Sequence, residues 1–213
     1  MSLASGDIIE GVEERLQPGE RLVWTGKPER TYLARHVLHV RGLLAYFVVL
    51  LIVPAVVAAS GERLTALVAS AWWVAMIGGG IVLFAWFLAD MISRTSIYAL
   101  TDRRVVMRIG IAIPVTLNLP LDAIESVAMR ERSDGSGELA LQLQAGQRFA
   151  YALLWPHARP WQLKQPQPTM RGISQVAAVG AMLRRSLGGS AEPAALRVTS
   201  TEVRPTQPVL ARP

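Results

Sequence analysis

Two apolar runs dominate the chain, Gly42 to Ser60 and Leu64 to Ala89, and neither contains a charged residue. Only the turn Gly61-Glu62-Arg63 separates them. A bilayer core of roughly 30 Å takes about 20 helical residues to cross. Backbone groups in lipid must hydrogen-bond within their own segment, so both runs are predicted to be helices. The short turn makes them antiparallel, a two-helix transmembrane hairpin over 42–92 with both ends on one side. Lys27, Arg30, Arg35 and Arg41 precede the first run, and Arg94, Arg103, Arg104 and Arg108 follow the second. The turn has only Arg63, offset by Glu62. This asymmetry puts both termini in the cytoplasm of a multi-pass membrane protein.

Within the runs, Pro54 removes one helical hydrogen bond and is expected to bend the first helix. Ala71, Ala75 and Gly79 recur every four residues in the second, a stripe that lets another helix approach closely. That helix is either the chain's own first span or a foreign one. Trp72 and Trp73 lie deeper than an interfacial aromatic belt, which favours a packing role.

The periodicity changes on either side of the runs. In the 1–41 segment, Asp7 to Leu16 reads as an amphipathic helix with Ile8, Ile9, Val12 and Leu16 on one face. Pro18-Gly19 breaks it, and Glu20 to Thr25 reads as a strand. Beyond the runs, Ser96–Leu100 and Val105–Ile111 form a predicted hairpin about Thr101-Asp102-Arg103-Arg104. Further strands are predicted at Pro114–Leu119, Ile124–Arg130, Glu138–Leu143 and Phe149–Trp155. Ser133 to Gly137 lacks the strand-to-helix context and lysine of a phosphate loop, and reads as a turn. Gly172 to Leu187 returns to helical spacing, with Arg184 and Arg185 in its last turn and Gly188 as its stop. Residues 189–213, rich in Pro, Ser, Thr and Ala, are expected to be a disordered tail. The fold class is therefore α+β: a membrane hairpin carrying an antiparallel, strand-rich cytoplasmic domain over 93–188 with a C-terminal helix.

Composition narrows the function. The chain of 213 residues is 51% hydrophobic and carries a formal charge of +6 from 22 basic and 16 acidic residues. That balance, without a long basic run, argues against nucleic acid and suits anionic membrane lipid. With no cysteine, disulfides, thiolate catalysis and Cys-based metal sites are excluded. The first forty residues are too charged for a cleaved signal peptide, so the first span is expected to serve as an uncleaved anchor. His36 and His39, at i and i+3, can share a helix face. One imidazole would suffice for a pigment magnesium, although interfacial packing is the plainer reading. No further ligands lie nearby, and neither a metal nor a cofactor is expected. No nucleophile–base–acid order or poised carboxylate pair stands out, so the chain reads as a non-enzyme.

Trp155, His157, Arg159 and Trp161 form the densest aromatic-cationic cluster outside the apolar runs. Trp and Arg dominate protein-binding hot spots, and Pro156 and Pro160 limit the ordering cost of binding. The segment is either a partner-binding surface or an irregular edge packed on the sheet or the membrane. Arg94 is read as a membrane-surface basic residue, and Arg103, Arg104 and Arg108 are either part of the same membrane-surface patch or strand-edge charges that block aggregation.

The stretch Tyr98-Ala-Leu-Thr-Asp-Arg-Arg-Val-Val-Met-Arg-Ile-Gly-Ile111, followed by Leu119-Pro-Leu-Asp-Ala-Ile-Glu-Ser-Val127, resembles the bacterial pleckstrin-homology-like (PH-like) membrane domains. Pro18-Gly-Glu-Arg-Leu-Val-Trp-Thr-Gly-Lys-Pro28 resembles the opening segment of that family. Ala34-Arg-His-Val-Leu-His-Val-Arg41, Thr116-Leu-Asn-Leu-Pro120 and above all Leu154-Trp-Pro-His-Ala-Arg-Pro-Trp161 carry a narrower resemblance, over residues 15–187. It is to the PuhB-type photosynthetic-complex assembly proteins of purple phototrophic bacteria. The resemblance implies a PH-like domain and a homodimer in the bacterial inner (intracytoplasmic) membrane. It also implies a role in reaction-centre assembly, with an indirect effect on the core light-harvesting antenna. Expected partners are reaction-centre subunits and core antenna assembly intermediates. The alternative expectation is a general membrane-anchored lipid-binding or envelope scaffold module.

Overall fold

The computed structural model describes residues 8–9, 11–12, 14–58, 64–111, 114–144, 154–157, 166–188 and 195–198. Two four-stranded sheets share one core. The first has the order β3-β4-β5-β6, formed by Leu22–Gly26, Ile97–Thr101, Arg104–Ile109 and Val115–Pro120. The second has the order β10-β7-β8-β9. Its strands β7, β8 and β9 are Ile124–Glu131, Gly137–Leu143 and Thr169–Ile173, and β10 is Ala195–Val198. All these pairings are antiparallel except that of β10, which lies parallel to β7. Pro120, which has no N–H to give a ladder, ends the edge strand β6.

The predicted C-terminal helix is present as Val176–Gly188, which we number α4 after the three helices described below. Its buried face, Val176, Val179, Gly180, Leu183 and Leu187, repeats at helical spacing and packs over β7 and β8. A Cβ at Gly180 would meet Met129 Sδ at 3.0 Å, so the position leaves little room for a side chain. Tyr98, Met107, Leu119, Leu139, Leu141 and Met170 fill the core beneath the helix.

Three expectations are corrected, and a fourth falls mostly outside the described residues. Residues 7–16 are not a helix: Ile8–Ile9 (β1) and Glu14–Arg15 (β2) form a small antiparallel hairpin turning at Gly11, whose φ is +80°. Ile9, Val12 and Leu16 are buried as expected, against Ile97, Ala99 and Val106. Their spacing suits a helix equally well, and only the waiting sheet face decides between the two. Residues 169–173 are strand β9, and the helix starts after the turn at Gln175 (φ +54°). Of the stretch expected to be a tail, Ala195–Val198 pairs with β7. The strand predicted at Phe149–Trp155 lies mostly outside the described residues, and Leu154 to His157 form a turn.

Between β3 and β4 the chain makes a helical excursion. Helix α1 (Arg30–Tyr32) continues as one π-helical turn, Leu33–Val37. It is followed by α2 (Val40–Ala58) and α3 (Leu64–Thr95). Among the described residues one helical stretch, Ala71–Thr95, is by itself long and apolar enough to cross a membrane. The pair Arg30–Val37 and Val40–Ile52, bent by 53°, qualifies only if taken as one span. The expected two-helix membrane hairpin is thus met in part. Leu33, Ala34 and Val40 pack against Ala85, Ala89 and Ile92, so the π-helical turn and the start of α2 lie on the last turns of α3.

A buried ion pair holds the N-terminal segment to the β4–β5 hairpin. The Glu20 side chain is fully buried and that of Arg104 is 10% exposed. Arg104 donates Nε to Glu20 Oε1 at 2.8 Å and Nη2 to Oε2 at 3.1 Å. Its remaining N–H groups reach Glu14 Oε1, Asn118 Oδ1 and the Arg15 carbonyl, so every donor of the guanidinium is used. Thr101 Oγ1 lies 2.7 Å from Glu20 Oε1, and the Gln17 N–H donates to Oε2 at 2.7 Å. Burial alone would raise the Glu20 carboxyl, but these hydrogen bonds and the Arg104 charge outweigh it and hold it below the usual range.

Removing one member of such a pair strands a buried charge. Glu20→Gln or Arg104→Met is expected to cost about 3–5 kcal/mol in denaturant unfolding of the full chain in detergent. The double variant should recover a large part of the loss. Additive losses would refute the coupling.

Candidate functional site

The broadest feature is an exposed apolar surface on α2 and α3. Leu44, Val49, Ile52, Trp72, Trp73, Met76, Leu83, Phe84 and Phe87 are each more than half exposed. Trp72 and Trp73 are 64% and 66% exposed, which does not fit an internal packing role within this chain. Isolated exposed apolar residues are ordinary, but a continuous band is a contact surface for lipid or protein.

The small-residue stripe does not face the chain's own first helix. Close approach to α2 occurs at Gly78, where a Cβ would meet the Phe47 ring at 2.6 Å. Ala75 and Gly79 are exposed, Ala71 is partly exposed, and nothing lies within 4 Å of a Cβ built on Gly79. Of the two readings left open above, packing on the own first span is therefore overturned for Ala75 and Gly79.

The basic patch is also redistributed. Arg104 is the buried partner of Glu20, not a membrane-facing charge. Arg108 Nη1 donates to the Gly11 carbonyl at 2.8 Å, bracing the β1–β2 turn. Arg103 is exposed and lines a shallow open cleft of about 390 Å³ with Gln17, Asp102, Arg104, Pro120, Leu121 and Asp122. Arg94 is exposed at the end of α3 and pairs with Asp90 at 2.7 Å.

The two candidate pigment ligands diverge. His36 is half-buried against the Tyr32 ring, with centroids 5.0 Å apart. His39 is exposed at φ +51°, and its Nδ1 lies 3.2 Å from the Val37 carbonyl. The shared-face argument assumed 3.6 residues per turn, and the π-helical turn, closed by Leu38 N–H on the Leu33 carbonyl, breaks that period. Among the described residues, no group of three His, Cys, Asp or Glu side chains could hold a metal.

The aromatic-cationic segment divides. Trp155 is 49% exposed, whereas His157 is completely buried. Arg159 and Trp161 lie outside the described residues. His157 therefore cannot act as a surface contact, and the expectation is corrected to a structural role. Its Nδ1 is 2.8 Å from the Tyr98 hydroxyl and its Nε2 is 3.1 Å from Ser96 Oγ. Arg171 N–H donates to the same Tyr98 hydroxyl at 3.2 Å. A neutral, Nε2-protonated imidazole satisfies this set: Tyr98 donates to Nδ1, and Nε2–H donates to Ser96. Thr169 N–H donates to the His157 carbonyl at 2.8 Å, tying the segment to β9. Ser96 directly follows α3, so His157 holds the Trp155 turn at the foot of that helix.

The sequence did not single out Glu20, Asp90, Ser96 or Tyr98. Glu20 and Tyr98 stood inside quoted motifs, and Asp90 is the first charge after the second apolar run, so their positions were visible. Their roles needed the partners, which are distant in sequence.

Burial lowers the His157 imidazole to about 3 from its ordinary 6.5, with the Arg171 charge adding to the effect. Below pH 6.5 the unfolded chain takes up a proton that the folded chain refuses, so stability falls as pH falls through that window. Acidifying from pH 7 to 5.5 should cost about 1 kcal/mol from this group. His157→Gln should flatten that part of the pH profile of unfolding temperature; an unchanged slope would refute the assignment.

Comparison with known proteins agrees with this geometry. The model of the family described as bacterial PH domain matches residues 41–187. An "Uncharacterized 23.7 kDa protein in puhA 5'region" of Rhodobacter capsulatus is 35% identical over 182 residues, covering 81% of this chain and 82% of the relative. No solved structure matches the chain. With the opening segment and the Thr101–Arg104 hairpin motif joined through Glu20 and Arg104, and the family model spanning most of the chain, this protein belongs to the bacterial PH domain family.

Proposed function

We propose that this protein is a non-enzymatic, integral-membrane assembly factor that binds reaction-centre subunits transiently in the inner (intracytoplasmic) membrane, with an indirect effect on the core light-harvesting antenna. The observation that carries the membrane part is the exposed apolar band of α2 and α3, including Trp72 and Trp73. Water would penalise that surface by about 25 cal/mol for each Å² of it, whereas lipid does not. Support for two spans comes from the sheet. Strand β3 enters the helical excursion, β4 leaves it, and the two are paired antiparallel. A chain that departs from and returns to one sheet crosses a bilayer an even number of times, with both termini on the same side. The basic residues flanking the helices favour the cytoplasm for that side.

The client class rests on the relative encoded in the puhA 5' region, puhA being a photosynthesis gene, and on the Trp-Pro-His-Ala-Arg-Pro-Trp segment. In this reading the exposed Trp155 and the outward face of Ala71, Ala75 and Gly79 contact client subunits, and the working unit is a homodimer. Such contacts must be moderate in strength, because the client has to leave. The lipid-binding alternative relied on the basic hairpin, and it loses support because Arg104 is spent on Glu20 and Arg108 on the Gly11 carbonyl.

Affinity purification from phototrophically grown membranes should co-elute reaction-centre subunits. The combined change Trp155→Ala, Arg159→Ala, Trp161→Ala should lower reaction-centre yield several-fold while the protein's own membrane level holds. A normal yield in that strain would count against the proposal. Release of the wild-type chain by carbonate washing would remove its membrane basis.

A further inference from the structure

The foot of the helical excursion carries an arginine pair that neither the hairpin motif nor the client segment accounts for. Asp90, on α3, pairs with two arginines through different oxygens: Arg30 Nη1 donates to Oδ1 at 3.4 Å, and Arg94 Nε forms an ion pair with Oδ2 at 2.7 Å. The arginine side chains are 54% and 74% exposed, and Asp90 is 28% exposed. Arg30 also stacks over the Trp86 ring at 5.6 Å. Its helix is fixed from behind by the burial of Leu33 and Ala34 and by Ser93 Oγ donating to the Pro28 carbonyl at 2.7 Å. Two guanidiniums therefore share one carboxylate and face outward from supported positions.

Their depth along α3 narrows what they meet. Phe87 is the last strongly exposed aromatic of the apolar band. At about 1.5 Å per residue, Asp90 lies about 4–5 Å and Arg94 about 10 Å further along the helix. A bilayer of about 40–45 Å with a core of about 30 Å leaves roughly 5–8 Å of headgroup on each side. The pair thus begins where the hydrocarbon ends. The segment from Lys27 to Arg41 adds the exposed Lys27, Arg35 and Arg41 against the exposed Glu29. One charge of the pair is left over after Asp90, and each guanidinium keeps further donors in a planar fork that matches a phosphate.

We propose that Arg30 and Arg94, spaced by Asp90, form a binding site for the phosphate of an anionic phospholipid in the leaflet facing the β-domain. This inference rests on the membrane reading above and goes beyond it. It assigns the lipid headgroup to the foot of α1 and α3 instead of to the β4–β5 hairpin. The Trp86 ring, 5.6 Å from the Arg30 guanidinium, supports it by a cation–π contact, and Asp90 lies between the two charges and offsets their repulsion. The lipid supplies both the anion and acyl chains for the apolar band alongside, which free phosphate cannot do.

The test uses the full-length protein in nanodiscs of phosphatidylcholine, with or without phosphatidylglycerol at about 30 mol%, a proportion within the range of anionic cytoplasmic leaflets. Phosphatidylglycerol should raise the unfolding temperature, and its apparent affinity should fall about tenfold or more in R30Q/R94Q. R103Q, on the hairpin, should behave as wild type. R30K/R94K keeps the charge and the Asp90 pairing but loses the planar fork, so its affinity should fall by a smaller factor; it also decides the matter if R30Q/R94Q does not fold. Unchanged phosphatidylglycerol affinity in R30Q/R94Q or, failing that, in R30K/R94K would overturn the site. Equal stabilisation by inorganic phosphate would overturn the lipid assignment. Retention after carbonate washing without any phosphatidylglycerol preference would sink this inference alone; release by the wash would sink the membrane reading with it.

Discussion

The structure depends on one topological constraint: the chain before the helical excursion and the chain after it are strands of the same sheet. Leu22, Trp24 and Thr25 of β3 pair with Thr101, Leu100 and Ala99 of β4, across everything between 27 and 96. Closing so long a loop costs entropy, and a short two-strand contact would not hold it alone. The Glu20–Arg104 pair reinforces one end of this junction. Asp102 adds to it, since its backbone N–H donates to the Arg21 carbonyl and its Oδ1 accepts the Arg21 N–H. The other end is fastened where Glu29 N–H donates to the Gly172 carbonyl at 2.8 Å. Gly172 has φ +65°, and a Cβ there would press on the Glu29 backbone at 2.9 Å. The junction works only because that side chain is missing.

From this junction the two halves of the molecule follow different physics. The β-domain hides its apolar residues under α4 and between its sheets, and the buried Tyr98, Thr101 and His157 side chains find hydrogen-bond partners inside it. Helices α2 and α3 do the reverse, presenting Leu, Phe and Trp outward while small residues and Phe47 make the contact between them. The boundary between the two regimes is sharp. Within a short stretch the chain passes from Phe87, Asp90 and Arg94 on α3 to the buried Ser96 just beyond it, and the Ser96 hydroxyl already belongs to the domain core.

That boundary is also where the features with functional meaning gather. Arg30, Asp90 and Arg94 lie on its outer side, and His157 holds the Trp155 turn on its inner side. Arg104 and Arg108 of the hairpin are engaged inside the domain, whereas Arg30 and Arg94 at the helix feet are exposed.

Several elements were legible in the chain because their cause is local. The two apolar runs, the β4–β5 hairpin about Thr101 to Arg104, the turn at Ser133 to Gly137 and the face of α4 all follow from side-chain periodicity and turn chemistry. The rest depended on residues far apart in sequence. Residues 8–16 carry a spacing that suits helix and hairpin alike, and the apolar face of Ile97, Ala99 and Val106 selected the hairpin. Arg104 and Arg108 look the same in sequence as Arg103, yet a carboxylate more than eighty residues away buries the first. His157 reads as part of an exposed cluster until Ser96 and Tyr98 are placed beside it. Charge and aromaticity declare what a side chain can do; which of those capacities is used is fixed by the partner that desolvates it, and only the tertiary structure supplies that partner.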